Sequence, residues 1–138
     1  SIEGFYQEES ETYQEYIDLR NDIFVEEFGF NKHDEFDGND KTATHYLVKY
    51  NNIPVGVARW KESGDLIKID RFGIVRKFRG WGLGILLLKY IKREITASKK
   101  NIVIYSLDKS KVFFIQQGFK DNHNQKVISG KTIHILHL

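Results

Sequence analysis

The chain has 138 residues, 41% hydrophobic and 29% charged, a size and composition that fit one folded domain and exclude a disordered segment. It contains no cysteine, so disulfides, thiolate metal sites and a cysteine nucleophile are excluded. The net charge of +2 conceals a split, with 13 acids against 3 bases in residues 1–45 and 18 bases against 6 acids in residues 46–138; the basic density over 76–100 points to an anionic ligand or to nucleic acid.

The apolar run at 85–88 is far shorter than the ~20 residues that span a bilayer. The amino-terminal residues have neither the basic start nor the apolar middle of a secretion signal, so a cytoplasmic protein with no membrane partner is expected. Alternation over 2–6 predicts a strand, and Thr12 with Glu15 has the spacing of a capping box that opens a helix. Tyr13, Tyr16, Ile17, Arg20, Ile23 and Phe24 share one face of that helix, and Gly29 ends it. The acidic stretch 33–40 reads as a loop.

Residues 44–50 and 53–61 flank Asn51-Asn52 and predict a hairpin, with a third strand over 66–75. From Gly82 the period turns helical, with Leu83, Leu86, Leu87, Tyr90, Ile91 and Ile95 on an apolar face. A buried strand over 102–107, a short helix over 110–117 ended by Gly118, and a hairpin over 119–138 turning at Ser129-Gly130 complete the chain. The strand–helix–strand unit across 66–107 requires a parallel crossover. The fold class is therefore α/β (α+β): a single domain over 1–138 with a mixed, mostly antiparallel sheet flanked by helices.

Arg79-Gly80-Trp81-Gly82-Leu83-Gly84 lies between the third strand of the meander and its helix. Such a loop exposes backbone N–H groups at a helix amino end, where the helix dipole also favours negative charge. Glycine lets the backbone approach a phosphate, and Arg79 offers a fork of donors. The dinucleotide fingerprint fails because its sixth position is Ile85, and the P-loop fails because Ile85-Leu86 stands where Lys-Ser/Thr is required.

The loop resembles the acetyl-coenzyme A signature of the GNAT acyltransferase superfamily, Gln/Arg-x-x-Gly-x-Gly/Ala, through Arg79, Gly82 and Gly84. The strand from Ile69 to Val75 resembles that family's central strand, and Ser110-x-x-Phe113-Phe114-x-x-x-Gly118-Phe119 resembles its second motif. The resemblance extends over essentially the whole chain. It implies acetyl transfer from acetyl-CoA to an amine, without a metal. It also implies pyrophosphate on the amides of Arg79, Gly80, Trp81, Gly82, Leu83 and Gly84, pantetheine along Phe72, Gly73 and Ile74, and further coenzyme contacts at Ser110, Phe113 and Phe114. The adenine end would lie near the basic residues. The amino half, with Arg20, Ile23, Phe24, Glu27, Asp34, Glu35, Asp37, His45, Arg59 and Arg71, is similar to a subgroup of small bacterial acyltransferases and, more distantly, to acyl-homoserine-lactone synthases.

Transfer from a thioester needs a neutral amine, a stabilised oxyanion and a departing thiolate. Gly73 suggests a strand bulge that frees a backbone N–H for the oxyanion or a close approach of the ligand, or else it is an ordinary strand glycine. The resemblance implies a tyrosine acid where this chain has Phe114, which has no proton to give; Tyr105 or a water is the substitute. Glu27, Asp70, His45 and His134 are the candidate bases, Glu27 the first of them by resemblance, while His45 and His134 also read as structural. Arg59 and Arg71 interrupt apolar strands and need partners. Either they pair with Glu27 or Asp37, or with Glu27 and His134 they form an acceptor site that grips an anionic group. Calcium is rejected because an EF-hand with Gly38 at its sixth position would end at Thr44. Zinc is rejected because His134 and His137 point to opposite faces of a strand. The partners expected are a small-molecule amine and, as an open alternative, a second copy in a homodimer; a CoA-binding module without turnover is the second reading and nucleic-acid binding the third.

Overall fold

In the computed structural model, which describes residues 1–5 and 11–138, the alternation along the strands sets two faces of one sheet. In β2 (Thr44–Tyr50) Tyr46 and Val48 pack into one core and Leu47 into the other. Beside β2 lie β1 (Ile2–Phe5) and β3 (Ile53–Ser63), followed by β4 (Leu66–Ile74). The far half holds β5 (Asn101–Ser106), β6 (Lys120–Ile128) and β7 (Lys131–His137), and the strand order is β1-β2-β3-β4-β5-β7-β6. Only β4 and β5 pair in parallel, as the crossover requires; the other described pairs are antiparallel. Tyr6, at the end of the expected first strand, lies outside the described residues.

Helix α1 (Glu11–Arg20) runs on as a wider π-turn over Asn21–Glu27 and ends at Gly29, which takes φ +78°. Thr12 is not its cap: it lies within the helix, and its hydroxyl donates to Glu3 at 3.2 Å. Tyr16, Leu19, Ile23 and Phe24 bury this segment against Leu47 and Val57. The stretch expected to be a loop contains a helical turn, α2 (Lys32–Glu35), started by the Asn31 side chain accepting from the Asp34 N–H at 2.7 Å. It places Glu35 in the interior. On the opposite face, α3 (Leu83–Ile95) buries Leu87, Leu88, Ile91 and Ile95, and α4 (Lys111–Gln116) buries Phe114. Among the described residues, no helix is long and apolar enough to cross a membrane.

Candidate active site

Parallel pairing between β4 and β5 runs from Leu66–Asn101 to Ile69–Ile104 and stops there. Past that point the β3–β4 register slips, from Arg59 opposite Asp70 to Val57 opposite Gly73. Two residues, Arg71 and Phe72, thus oppose one, which is a β-bulge. Arg71 takes φ +52° there, a conformation rare for a side chain of its kind. The bulge adjoins Gly73 and does not sit on it. A β-carbon on Gly73 would lie 3.1 Å from Ile23 Cγ2 and 3.2 Å from Phe24 Cζ, so this glycine lets the α1 segment close against the strand.

Two cavities meet where the strands part, sharing Phe28, Phe72, Ser110 and Phe114 as walls. The larger, about 480 Å³, runs along Phe72, Gly73 and Ile74 to the glycine loop. Gly80 and Gly82 take φ +84° and +83°, and a β-carbon on either would meet open space. Gly82 caps α3 without any side-chain bond, and the helix ladder begins with Leu86 N–H to Gly82 O at 3.2 Å. The amides of the first turn are left to an outside acceptor. Gly84 serves packing instead, since its β-carbon would sit 3.3 Å from Phe113 Cζ. The Trp81 ring leaves the groove to pack edge-on against Tyr50 and Phe78, with centroids at 5.4 and 5.0 Å, so only its backbone amide is left to the loop.

Arg79 does not hold its fork open for phosphate. Its Nε donates to Ile74 O at 2.8 Å, and both terminal nitrogens donate to Glu27 at 2.7 Å. The Arg79 hydrogen bonds hold the Glu27 carboxyl below the usual carboxylate range against the opposing effect of burial, with Arg76 adding at 3.5 Å. A carboxylate held in this way is a poor proton acceptor, which argues against Glu27 as the base.

The smaller cavity, about 60 Å³, has aromatic walls and includes Asp34, Glu35, Asp70 and Arg71. Behind it lies a buried ion network. Arg59, 1% exposed, donates to both Asp70 oxygens at 2.8 Å, to Asp40 at 2.9 Å and to Asp37 at 3.2 Å. Arg20 joins Glu35 and Asp40 at 2.7 Å each. Arg71 bonds the Glu35 carboxylate at 2.9 Å and the Asp34 and Glu35 carbonyls at 2.9 and 2.8 Å. The expectation that Arg59 grips an anion fails because the residue lines neither cavity and its donors are taken. Arg71 lines the smaller cavity, but its donors turn to the α2 backbone. The pairing alternative holds for Asp37 and does not for Glu27.

Burial works against the Asp70 charge, yet Arg59 and Arg71 hold its pKa below the usual range, so it too is a poor base. His134 sits on β7 against Asp108 and lines neither cavity, which removes it from the acceptor site. His45 is structural: its Nε2–H donates to the Asp40 carbonyl at 2.8 Å, and its Nδ1 then accepts from the Tyr16 hydroxyl at 2.9 Å. Burial lowers its pKa. Tyr105 lines the smaller cavity only, with its pKa raised by burial. The sequence reading did not single out Phe28 or Lys109, both of which line the larger cavity. The signal available for Phe28 was an aromatic ring beside the helix-ending Gly29, and for Lys109 its place beside Ser110.

A bulged strand that parts from its parallel neighbour beside a glycine-led helix is the architecture of the acyl-CoA N-acyltransferase fold. Escherichia coli ElaA matches it with a TM-score of 0.85 at 22% identity, covering 100% of this chain and 99% of ElaA. The CoA-dependent acyl-homoserine lactone synthase BjaI matches with a TM-score of 0.73 at 15% identity, over 99% of this chain and 81% of BjaI. In sequence, Bacillus subtilis BSU40680 is 35% identical over 82 residues, 57% of this chain and 56% of the relative. Bacillus subtilis YyaT is 31% identical over 96 residues, 67% of this chain and 64% of YyaT. The aligned part thus spans about three fifths of these relatives' length. The family model of the acetyltransferase (GNAT) domain matches residues 6–134, and the chain belongs to that family of acyltransferases.

Proposed function

We propose that this chain transfers the acetyl group of acetyl-CoA to the amine of a small molecule. The observation that carries the reading is the meeting of the two cavities at Phe28, Phe72, Ser110 and Phe114, which would bring a thioester and an amine together. The residues fit the donor: the positive-φ Gly80 and Gly82 leave open space that any β-carbon would enter, as an approaching pyrophosphate requires. Phe72, Gly73 and Ile74 offer strand backbone to a pantetheine arm, and Ser110, Phe113 and Phe114 close the opposite wall. A backbone N–H at the bulge is the natural oxyanion donor.

On the acceptor side, three carboxylates and one arginine among aromatic rings favour an amine that arrives as a cation and has an apolar body. An anionic group on the acceptor finds no uncommitted guanidinium there. The test is thiol release from acetyl-CoA against a panel of amines, beside calorimetric binding of coenzyme A. Tight binding with amine-dependent thiol release is the expected result, and release independent of every amine overturns the acceptor reading. Phe114, which has no hydroxyl at the shared wall, favours a second reading, a CoA-binding module; binding without any thiol release would select it.

A further inference from the structure

Of the side chains lining the larger cavity, only Arg79, Lys109 and Ser110 carry polar hydrogens; the rest are glycine or hydrocarbon. Breaking the C–S bond of a thioester leaves an electron pair on sulfur, and a proton delivered there speeds departure. Arg79 cannot deliver it, because guanidinium stays protonated and its donors are bound to Glu27 and Ile74. An unassisted serine hydroxyl is a weaker acid than the thiol that must leave.

Lys109 is placed differently. Its Nζ lies 3.5 Å from the centroid of Phe28, a ring that forms part of both cavities. Lys109 thus lines the larger cavity and stacks on a ring that the two cavities share. Among the described residues it has no hydrogen bond or ion pair within contact distance, so its protons are uncommitted. The charged groups facing it are Glu27 from the end of the α1 segment, Arg76 and Arg79 from the loop before α3, and Lys131 from β7. Burial leads in holding the ammonium below the usual lysine range; Glu27 opposes it, and Arg79, Arg76 and Lys131 add to the lowering. The residue stays exposed to solvent, which can return the proton.

We propose that Lys109 is the acid that protonates the departing coenzyme A sulfur, an inference that rests on the acetyl-transfer reading. The amine gives up its ammonium proton to solvent, its nitrogen bonds to the thioester carbon, and a second proton leaves to solvent as the amide forms. The C–S bond breaks, its electron pair stays on sulfur, and the Lys109 ammonium gives that sulfur a proton. Solvent then reprotonates Lys109, leaving free coenzyme A and the N-acetyl amine.

The test uses coenzyme A, acetyl-CoA and three proteins: wild type, Lys109→Met and Lys109→Arg. Ultraviolet titration of bound coenzyme A should give a thiol pKa lower in wild type than in Lys109→Met, with Lys109→Arg near wild type because the charge is kept. At neutral pH, kcat should fall about a hundredfold in Lys109→Met and stay low in Lys109→Arg, and the deficit should shrink as pH rises past ~8.5, where thiolate leaves unaided. An unchanged thiol pKa with kcat within about twofold of wild type overturns the proposal. So does a loss confined to coenzyme Kd, which would make Lys109 a phosphate contact. If wild type binds coenzyme A and transfers acetyl to neither amine nor water, the acetyl-transfer reading fails, and the acid role fails with it. A Lys109-dependent thiol pKa in that case assigns the ammonium to sulfur binding alone.

Discussion

Glu27 and Arg79 stand 52 residues apart and meet through two hydrogen bonds of 2.7 Å, tying the end of the α1 segment to the loop before α3. Arg79 also holds Ile74 O at 2.8 Å, so one guanidinium joins the end of the α1 segment, the bulged strand and the glycine loop. Glu27→Gln should therefore loosen the loop, raising coenzyme A Kd by about three- to tenfold, with kcat within about threefold of wild type. Steady-state kinetics with calorimetry check this. A loss of kcat by orders of magnitude at unchanged Kd would restore Glu27 as the base.

Gly82 takes φ +83° and faces open groove. Gly82→Asp adds a strained backbone conformation and sets a carboxylate where phosphate negative charge would lie. Coenzyme A affinity should drop by about a hundredfold or more, some 2.8 kcal/mol at ~1.4 kcal/mol per tenfold, while the backbone strain lowers the melting temperature by only roughly 5 °C. Calorimetry checks it, and unchanged affinity would move the phosphate site elsewhere.

Arg59→Ala leaves Asp70, 3% exposed, without its bidentate partner. Breaking a buried pair on one side costs about 3–5 kcal/mol, which for a chain of this size lowers the melting temperature by roughly 10 °C or more. The acceptor KM of the protein that remains folded should stay close to wild type, because Arg59 lines neither cavity. A raised KM with an unchanged melting temperature would return Arg59 to the acceptor site.

The same network sets acid sensitivity. Despite burial, Arg59 holds the Asp37 and Asp70 carboxyls below their ordinary range, and Arg20 does so for Asp40. A carboxyl whose pKa is lower folded than unfolded contributes its full stability above the unfolded value, ~3.9, and loses it as pH falls through the folded value. Melting temperature should hold from neutral pH to about 4 and fall steeply below. Asp37→Asn, at the half-exposed edge of the network, should flatten that acid limb; an unaltered limb would show that other carboxyls drive it.

The strands, α3 and the glycine loop were legible because each is written locally, in two- and four-residue periods or in adjacent glycines. The arginines' partners were legible only in part. Arg59 reaches Asp70 by pairing of neighbouring strands, and Asp37 and Asp40 through a chain segment 19–22 residues away, a distance no local pattern specifies. The sequence points to a bulge at Gly73 because glycine is the residue that tolerates odd backbone. Arg71 takes the positive φ instead, held by the Asp34 and Glu35 carbonyls. Acidic turn-rich sequence at 33–40 also looked solvated, whereas three arginines draw it inward and bury Glu35.

Phe114 gives the last expectation. It is 2% exposed and forms part of both cavities, edge-on to Phe72 at 5.3 Å, so a para hydroxyl there would add a proton donor to the wall it shares with Phe28, the ring on which Lys109 stacks. If Lys109 already supplies the proton, Phe114→Tyr in the wild-type background should change kcat by no more than about threefold. In the Lys109→Met background the same hydroxyl should recover at least about tenfold, because it replaces a missing donor. The two substitutions would then be non-additive, a coupling of at least about 0.7 kcal/mol in a double-mutant cycle on kcat. Additive effects would mean that the two side chains act on different steps, and an equal gain in both backgrounds would mean that the sulfur leaves without help from Lys109.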